Sequence, residues 1–362
     1  MSLAGRRAVA AFTLTEDDRA RFKRCLRQWD FASRRGLEPI ANVDPVLPAV
    51  IKDALAVYYY PGTWDWQPEL RQSLVHKALA RALDGVTAAG AALPAAVALL
   101  DAYDALASTV DDFAPVRIGH DVSGLVPDPR DAERGLTTPD GSAVIYTCRI
   151  DLLAVDAADE YWVVRHQVLD EFQELDALIG DEATVAACWA WEQEYLGMEI
   201  SGTIHNQVRL TGPLDPPAAE STGKRARVLQ SEPSGGGRAI PQHRRLSART
   251  SRSDETAHVE QFTAGLLRRT RIRRSRAEIG AVGMLIGAEA IEMNSEPAIT
   301  PTFAAHCQTC EFRAPCQALV EGSDPEPMLA AKYRRRPAQD QSKPRLGQST
   351  WGFGRGAAPP QW

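Results

Sequence analysis

His306-Cys307-Gln308-Thr309-Cys310-Glu311-Phe312-Arg313-Ala314-Pro315-Cys316 places three cysteines in the order C-x2-C-x5-C. A tetrahedral ion or a cubane cluster takes four protein ligands, so three clustered thiolates imply a fourth from elsewhere. The candidate lies at the opposite end of the chain. It is Cys25, in Arg21-Phe22-Lys23-Arg24-Cys25-Leu26-Arg27-Gln28-Trp29-Asp30-Phe31. If Cys25, Cys307, Cys310 and Cys316 share one centre, the two ends are clasped and everything between is a closed loop. Zinc knots usually draw their ligands as two nearby pairs. A ligand this remote favours a [4Fe–4S] cluster, with Zn²⁺ (and His306 as an extra ligand) the alternative.

Six cysteines in 362 residues are too few for a disulfide scaffold. Cys148 and Cys188, alone in apolar segments, read as small buried hydrophobes. The 44% hydrophobic and 24% charged content is ordinary for a globular chain. No apolar run approaches the roughly 18 to 20 residues that span a bilayer, so no membrane is expected. Met1 to Leu14 lacks a signal-peptide core, and the expected location is the cytoplasm, where thiols stay reduced. A net charge of -6 gives no whole-chain argument for nucleic acid. Basic residues nevertheless gather at 21–35, 224–276 and 332–355, and a local basic face can hold a phosphate backbone.

The pattern of elements is helix, helices, three strands, helix, strand, helix and cysteine knot. Thr15 followed by Glu16-Asp17-Asp18 marks a helix start, and that helix would place Phe22, Cys25, Leu26 and Trp29 on one stripe. Helices are expected at 69–83 and 88–106. Strands are expected at 116–122, 143–155, 161–168 and 201–210, the middle two forming a hairpin. A helix is expected over 181–196. A long helix is expected over 261–291, basic in its first half. The implied organisation is an N-terminal helical layer with Cys25 (12–112), an α/β core (113–211) and a flexible loop or insertion (212–256). The basic helix with the cysteine cluster (257–325) and a disordered basic tail (326–362) complete it. The fold class is α/β, a central mixed sheet flanked by helices.

In this order of landmarks the chain resembles the RecB/AddB-like branch of the PD-(D/E)XK nuclease superfamily that carries an iron–sulfur cluster. The matching residues are Cys25, His76 in Leu74-Val75-His76-Lys77-Ala78-Leu79, Asp151 in Arg149-Ile150-Asp151, and Cys307, Cys310 and Cys316. The resemblance runs from residue 12 to residue 320. It implies a restriction-endonuclease-like sheet whose termini are fastened by a structural [4Fe–4S] cluster. It also implies a Mg²⁺ or Mn²⁺ site at Asp151; in an active enzyme Asp121 (or His120) on the preceding strand would be the second ligand, Gln167 would orient the water and His76 would assist. One departure bears on activity. Where the family has an acid, any residue and lysine, this chain has Arg165-His166-Gln167. Arginine cannot ligate a cation, and glutamine cannot supply lysine's charge.

Two outcomes therefore stay open: a divergent metal-dependent deoxyribonuclease, or a catalytically silent relative that binds DNA. Arg24, Arg27, Arg268, Arg269 and Arg273 are the expected backbone contacts, and a protein partner in DNA processing is the expected company. The rivals are a zinc-stabilised interaction protein and a redox-sensing DNA-binding protein.

Overall fold

The computed structural model describes residues 11–40, 47–84, 89–210, 259–295 and 297–336. Strand β1 (Ala11–Thr15) leads into α1 (Glu16–Arg24), α2 (Leu26–Trp29), a π-helical turn (Asp30–Arg34) and β2 (Leu37–Pro39). Three helices follow, α3 (Leu47–Tyr58), α4 (Pro68–Ala82) and α5 (Ala89–Val110). The middle of the chain holds β3 (Phe113–Leu125), β4 (Pro127–Asp128), β5 (Asp131–Gly135), β6 (Ala143–Asp156) and β7 (Tyr161–Leu169). Next come α6 (Leu175–Ile179), α7 (Glu182–Glu194), β8 (Ile200–Arg209), β9 (Val259–Ala264), β10 (Leu267–Arg273) and α8 (Arg276–Asn294). The chain closes with α9 (Arg313–Val320), α10 (Glu326–Lys332) and β11 (Tyr333–Arg335). The architecture is α/β, with a mixed seven-stranded sheet flanked by helices.

Strand β6 organises that sheet. Its residues 143–155 are rich in β-branched and aromatic side chains, which suit a pleated, buried surface. Strand β3 pairs antiparallel along it from Ile145 to Asp156. The opposite edge is shared: β1 pairs parallel with Ala143–Thr147 and β7 antiparallel with Leu152–Val155. From β7 the sheet continues through β8, β10 and β9. One face buries Val144, Tyr146, Cys148 and Ile150 with Trp189 and Trp191 of α7 and Ile286 of α8. The other buries Leu152, Ala154 and Trp162 under α3, α4 and α5. Complete burial of such side chains is worth roughly 1.5–3 kcal/mol each.

Several expectations change here. The segment 261–291 is not one helix. Leu267, Arg269 and Ile272 are buried while Arg268, Arg271 and Arg273 are less so, a strand alternation with one irregularity. A turn at Gly265, with φ 52°, joins β9 to β10 as a hairpin. Helix α8 starts only at Ser275, whose hydroxyl and Glu278 form a capping box. This hairpin and β1 belong to the central sheet, so the 12–112 and 257–325 boundaries do not separate layers. The expected helix through Cys25 is broken there, because Cys25 is extended between α1 and α2. Residues 326–336 are ordered rather than tail: β11 pairs antiparallel with β2. The loop 212–256 and the tail beyond 336 lie outside the described residues. Helix α5 also exceeds the expected length. Among the described residues it alone is long and apolar enough to cross a bilayer, and its Ala96, Leu99, Leu100, Tyr103 and Ala107 pack into the second core.

A polar network is sealed inside that second core. Arg269 pairs with Asp111 and donates to Asn206 Oδ1 at 3.0 Å and Tyr59 Oη at 3.0 Å. Tyr59 and Tyr103 share a 2.7 Å hydroxyl contact. Burial pushes the Asp111 carboxyl up, and Arg269 opposes it. Asp111→Ala strands the Arg269 charge and should cost about 3 kcal/mol or more in urea unfolding. A loss near zero would mean that water reaches the network.

Candidate functional site: an ion-paired cleft and a four-cysteine corner

The shared edge of β6 forks. Strand β1 stops at Thr15, opposite Thr147, and β7 pairing begins only at Leu152. Between them β6 exposes the edge that carries Arg149, Ile150 and Asp151. Helix α1 starts at once after β1 because Thr15 caps it and Asp18 returns the bond. That places Glu16 and Asp17 at the fork. The result is a cleft of about 140 Å³ lined by Glu16, Asp17, Lys52, Arg149, Asp151 and Arg165.

Each charge there has a protein partner. Asp151 Oδ1 accepts from Lys52 Nζ at 2.9 Å, and Oδ2 accepts the His166 backbone N–H at 3.0 Å. Arg165 donates to Glu16 at 2.9 Å and lies 3.9 Å from Asp181, the N-cap of α7. Arg149 donates to Asp121 at 3.0 Å. Lys52 comes from α3, which packs across β7. Its only sequence signal was a lone lysine inside the apolar stretch Val50-Ile51-Lys52-Asp53-Ala54-Leu55.

The four expected catalytic residues do not assemble. Asp121 is spent on Arg149 and does not line the cleft. Gln167 donates to Gln173 at 2.9 Å and accepts from Gln207 at 3.2 Å. His76 lies on α4 against Asp101, 2.7 Å away, beside a separate surface pocket. Only Asp151 stands in the cleft. Among the described residues no three His, Cys, Asp or Glu side chains converge on one ion position. The residues present do not fit a divalent metal: tethered cations neutralise the carboxylates that would hold it.

The expected DNA contacts are also largely occupied. Arg269 is buried, Arg273 pairs with Glu160, and Arg268 stacks over Phe172 at 4.5 Å. Arg27 donates to the Ile299 carbonyl at 3.1 Å and Arg24 to Gln28 at 3.1 Å. Arg24 keeps an exposed position.

The cysteines behave differently. Cys25 is buried, its Sγ accepting the Thr302 N–H at 3.4 Å. Cys307 Sγ lies 3.6 Å from the Thr302 carbonyl. Cys310 and Cys316 pack on a small core of Phe31, Leu37, Phe312 and Leu329. Burial raises both thiols; Cys25 and Cys307 add to this for each, and Arg27 opposes it at Cys316. Four thiols from both chain ends thus share one corner, with a backbone N–H aimed at one sulfur. The four thiols are neighbours without converging on one ion position among the described residues, and a four-thiolate set is the donor chemistry that a cubane takes, each thiolate on a separate iron.

No family model matches the chain, and no curated protein matches it. Among solved structures, the one described as "Crystal structure of SSO0001" aligns with 77% of this chain and 88% of that chain, at 10% identity and a TM-score of 0.27. So loose a likeness assigns neither fold nor function.

His166 lies directly behind the cleft, fully buried, with Nδ1 2.9 Å from Asn206 and its ring stacked on Tyr59. Burial holds its pKa down at about 4, against the weaker pull of Asp151. The unfolded chain therefore binds this proton first as pH falls. The stability is intact above about pH 6.5 and is lost progressively towards pH 4, by on the order of 3 kcal/mol. Urea titrations across that window should show the loss; buried His205, also held down at about 4, shares the window, so His166→Asn should remove about half of the loss. An unchanged slope in the variant would place the titration elsewhere.

Proposed function

We propose that this chain is a catalytically silent, restriction-endonuclease-like protein of the PD-(D/E)XK type, clasped by a [4Fe–4S] cluster, that binds DNA through its backbone. The observation that carries the reading is the pairing of Asp151 with Lys52, with Arg165 standing where an acid would be needed. The Asp151 carboxylate is matched by a fixed positive charge, so Mg²⁺ or Mn²⁺ finds no free anionic anchor there for hydrolysis. Lys52 and Arg165 neutralise and orient the carboxylates they meet.

The cysteine corner supports the remainder. The cluster, when bound, supplies four metal–thiolate bonds that join the chain ends; its role is structural. The segments brought together there, 21–40 and 305–336, hold more basic than acidic residues. Arg24, Arg34, Arg313, Lys332 and Arg335 are exposed on them. Such a surface contacts phosphates and reads no bases. A partner in DNA processing would then supply any catalysis.

The test is a pair of measurements on the full chain. Fluorescence anisotropy with single- and double-stranded DNA should give binding that weakens steeply with salt and does not require divalent ions. Incubation of the same DNA with Mg²⁺ or Mn²⁺ should leave it intact. Cleavage that Asp151→Ala abolishes would overturn the silent reading. Absence of binding at low salt would overturn the DNA-binding one.

A further inference from the structure

We propose that Lys52 is a tethered cation standing in the place of a divalent metal at Asp151, and that it, rather than a shortage of carboxylates, keeps Mg²⁺ and Mn²⁺ out of this cleft. The inference rests on the reading of the cleft as a silenced site and names the residue that silences it.

Charge matching is the first reason. Glu16, Asp17 and Asp151 line the cleft together with Lys52, Arg149 and Arg165, and Asp53 beside them adds a carboxylate that feels Lys52, Arg149 and Asp151. At Asp151 itself the negative charge is matched by Lys52, and hard cations of this kind need carboxylate oxygens with charge to spare. Geometry is the second. The Lys52 ammonium occupies Asp151 Oδ1 directly, while the His166 N–H occupies Oδ2. Both side chains of the ion pair are shielded, Asp151 at 10% exposure and Lys52 at 27%, so salt screens it only partly. The third reason is rigidity. Ile51 and Leu55, both fully buried, fix α3 on the sheet on either side of Lys52.

Removing this one charge changes the sum. Without Lys52, Asp151 Oδ1 has no cationic partner among the described residues, and the lining carries an excess negative charge beside Glu16 and Asp17. Arg165 remains on Glu16 and preserves the packing of α1. The ligand class exposed would be a small hard divalent cation bound by carboxylate oxygens.

Equilibrium dialysis of the full-chain protein against MnCl₂, with bound manganese quantified, tests this without DNA and without reading the iron centre. Wild-type protein should bind no manganese through Asp151. Lys52→Met should gain one ion with an affinity about tenfold or more above any wild-type background. Lys52→Met combined with Asp151→Asn should lose that gain, and Lys52→Arg should never acquire it. If Lys52→Met does not fold, as judged by circular dichroism, Lys52→Gln keeps the stem and must show the same gain. The proposal is overturned if the neutral variants bind no more manganese than wild type, or if the gain survives Asp151→Asn. A failure of DNA binding would leave it standing, whereas Asp151-dependent manganese binding in wild type would remove it and the silent reading together.

Discussion

Residues 25 and 307 must meet before either end of this chain has a place. Cys25 and Cys307 both contact the backbone of Thr302, and strands β2 and β11 close the same corner. The separation along the chain is not what makes this hard, since each doubling of a loop costs only about 0.6 kcal/mol in closure entropy. The local ordering is harder. Two three-residue strands and the core of Phe31, Ala32, Leu37, Phe312 and Leu329 are small rewards for fixing two chain ends. The proposed metal centre, bonded to four thiolates, would offset that deficit, because a site absent from the unfolded chain contributes its binding energy to folding.

The corner sets the cleft at one remove. Helix α1 runs from the cleft to Cys25, so the residue that anchors the clasp is one helix away from Glu16 and Asp17. Arg19 and Lys23 of the same helix bind Glu289 on α8, with Arg19 Nε at 2.5 Å. The helix is therefore held at its start by the capping box, in its middle by the α8 ion pairs and at its end by Cys25. The cleft's charges inherit that order. Arg165 can reach Glu16 and Asp181 together only because α1 and α7 both begin beside β7.

Much of this was legible and some of it was misread for identifiable reasons. Thr15 and Asp18 announced the start of α1, and the β-branched run of β6 announced the central strand. The divided cysteines announced that distant segments meet. Ser275 and Glu278 were an equally readable capping box, but the arginines before them suggested a helix face when their alternation belonged to a strand. The break at Cys25 left no local mark, since Leu, Arg, Lys and Gln around it all favour helix. Lys52 was invisible as a functional residue because its partner, Asp151, is 99 residues away and only the packing of α3 on β7 joins them. Arg269 looked like a surface cation and is buried, since the groups that satisfy it come from β8 (Asn206) and from the turns just after α3 (Tyr59) and α5 (Asp111).

The clasp of the two chain ends hangs on whether the four thiols hold one metal centre. Anaerobic purification of the full chain, followed by iron and zinc quantification and an absorption spectrum, measures this directly for wild type and for Cys25→Ala. Wild-type protein should be brown and carry close to four irons, as a cubane requires, and Cys25→Ala should lose the iron as completely as Cys310→Ala. Colourless protein with one zinc, or a Cys25→Ala variant that keeps all its metal, would contradict the clasp.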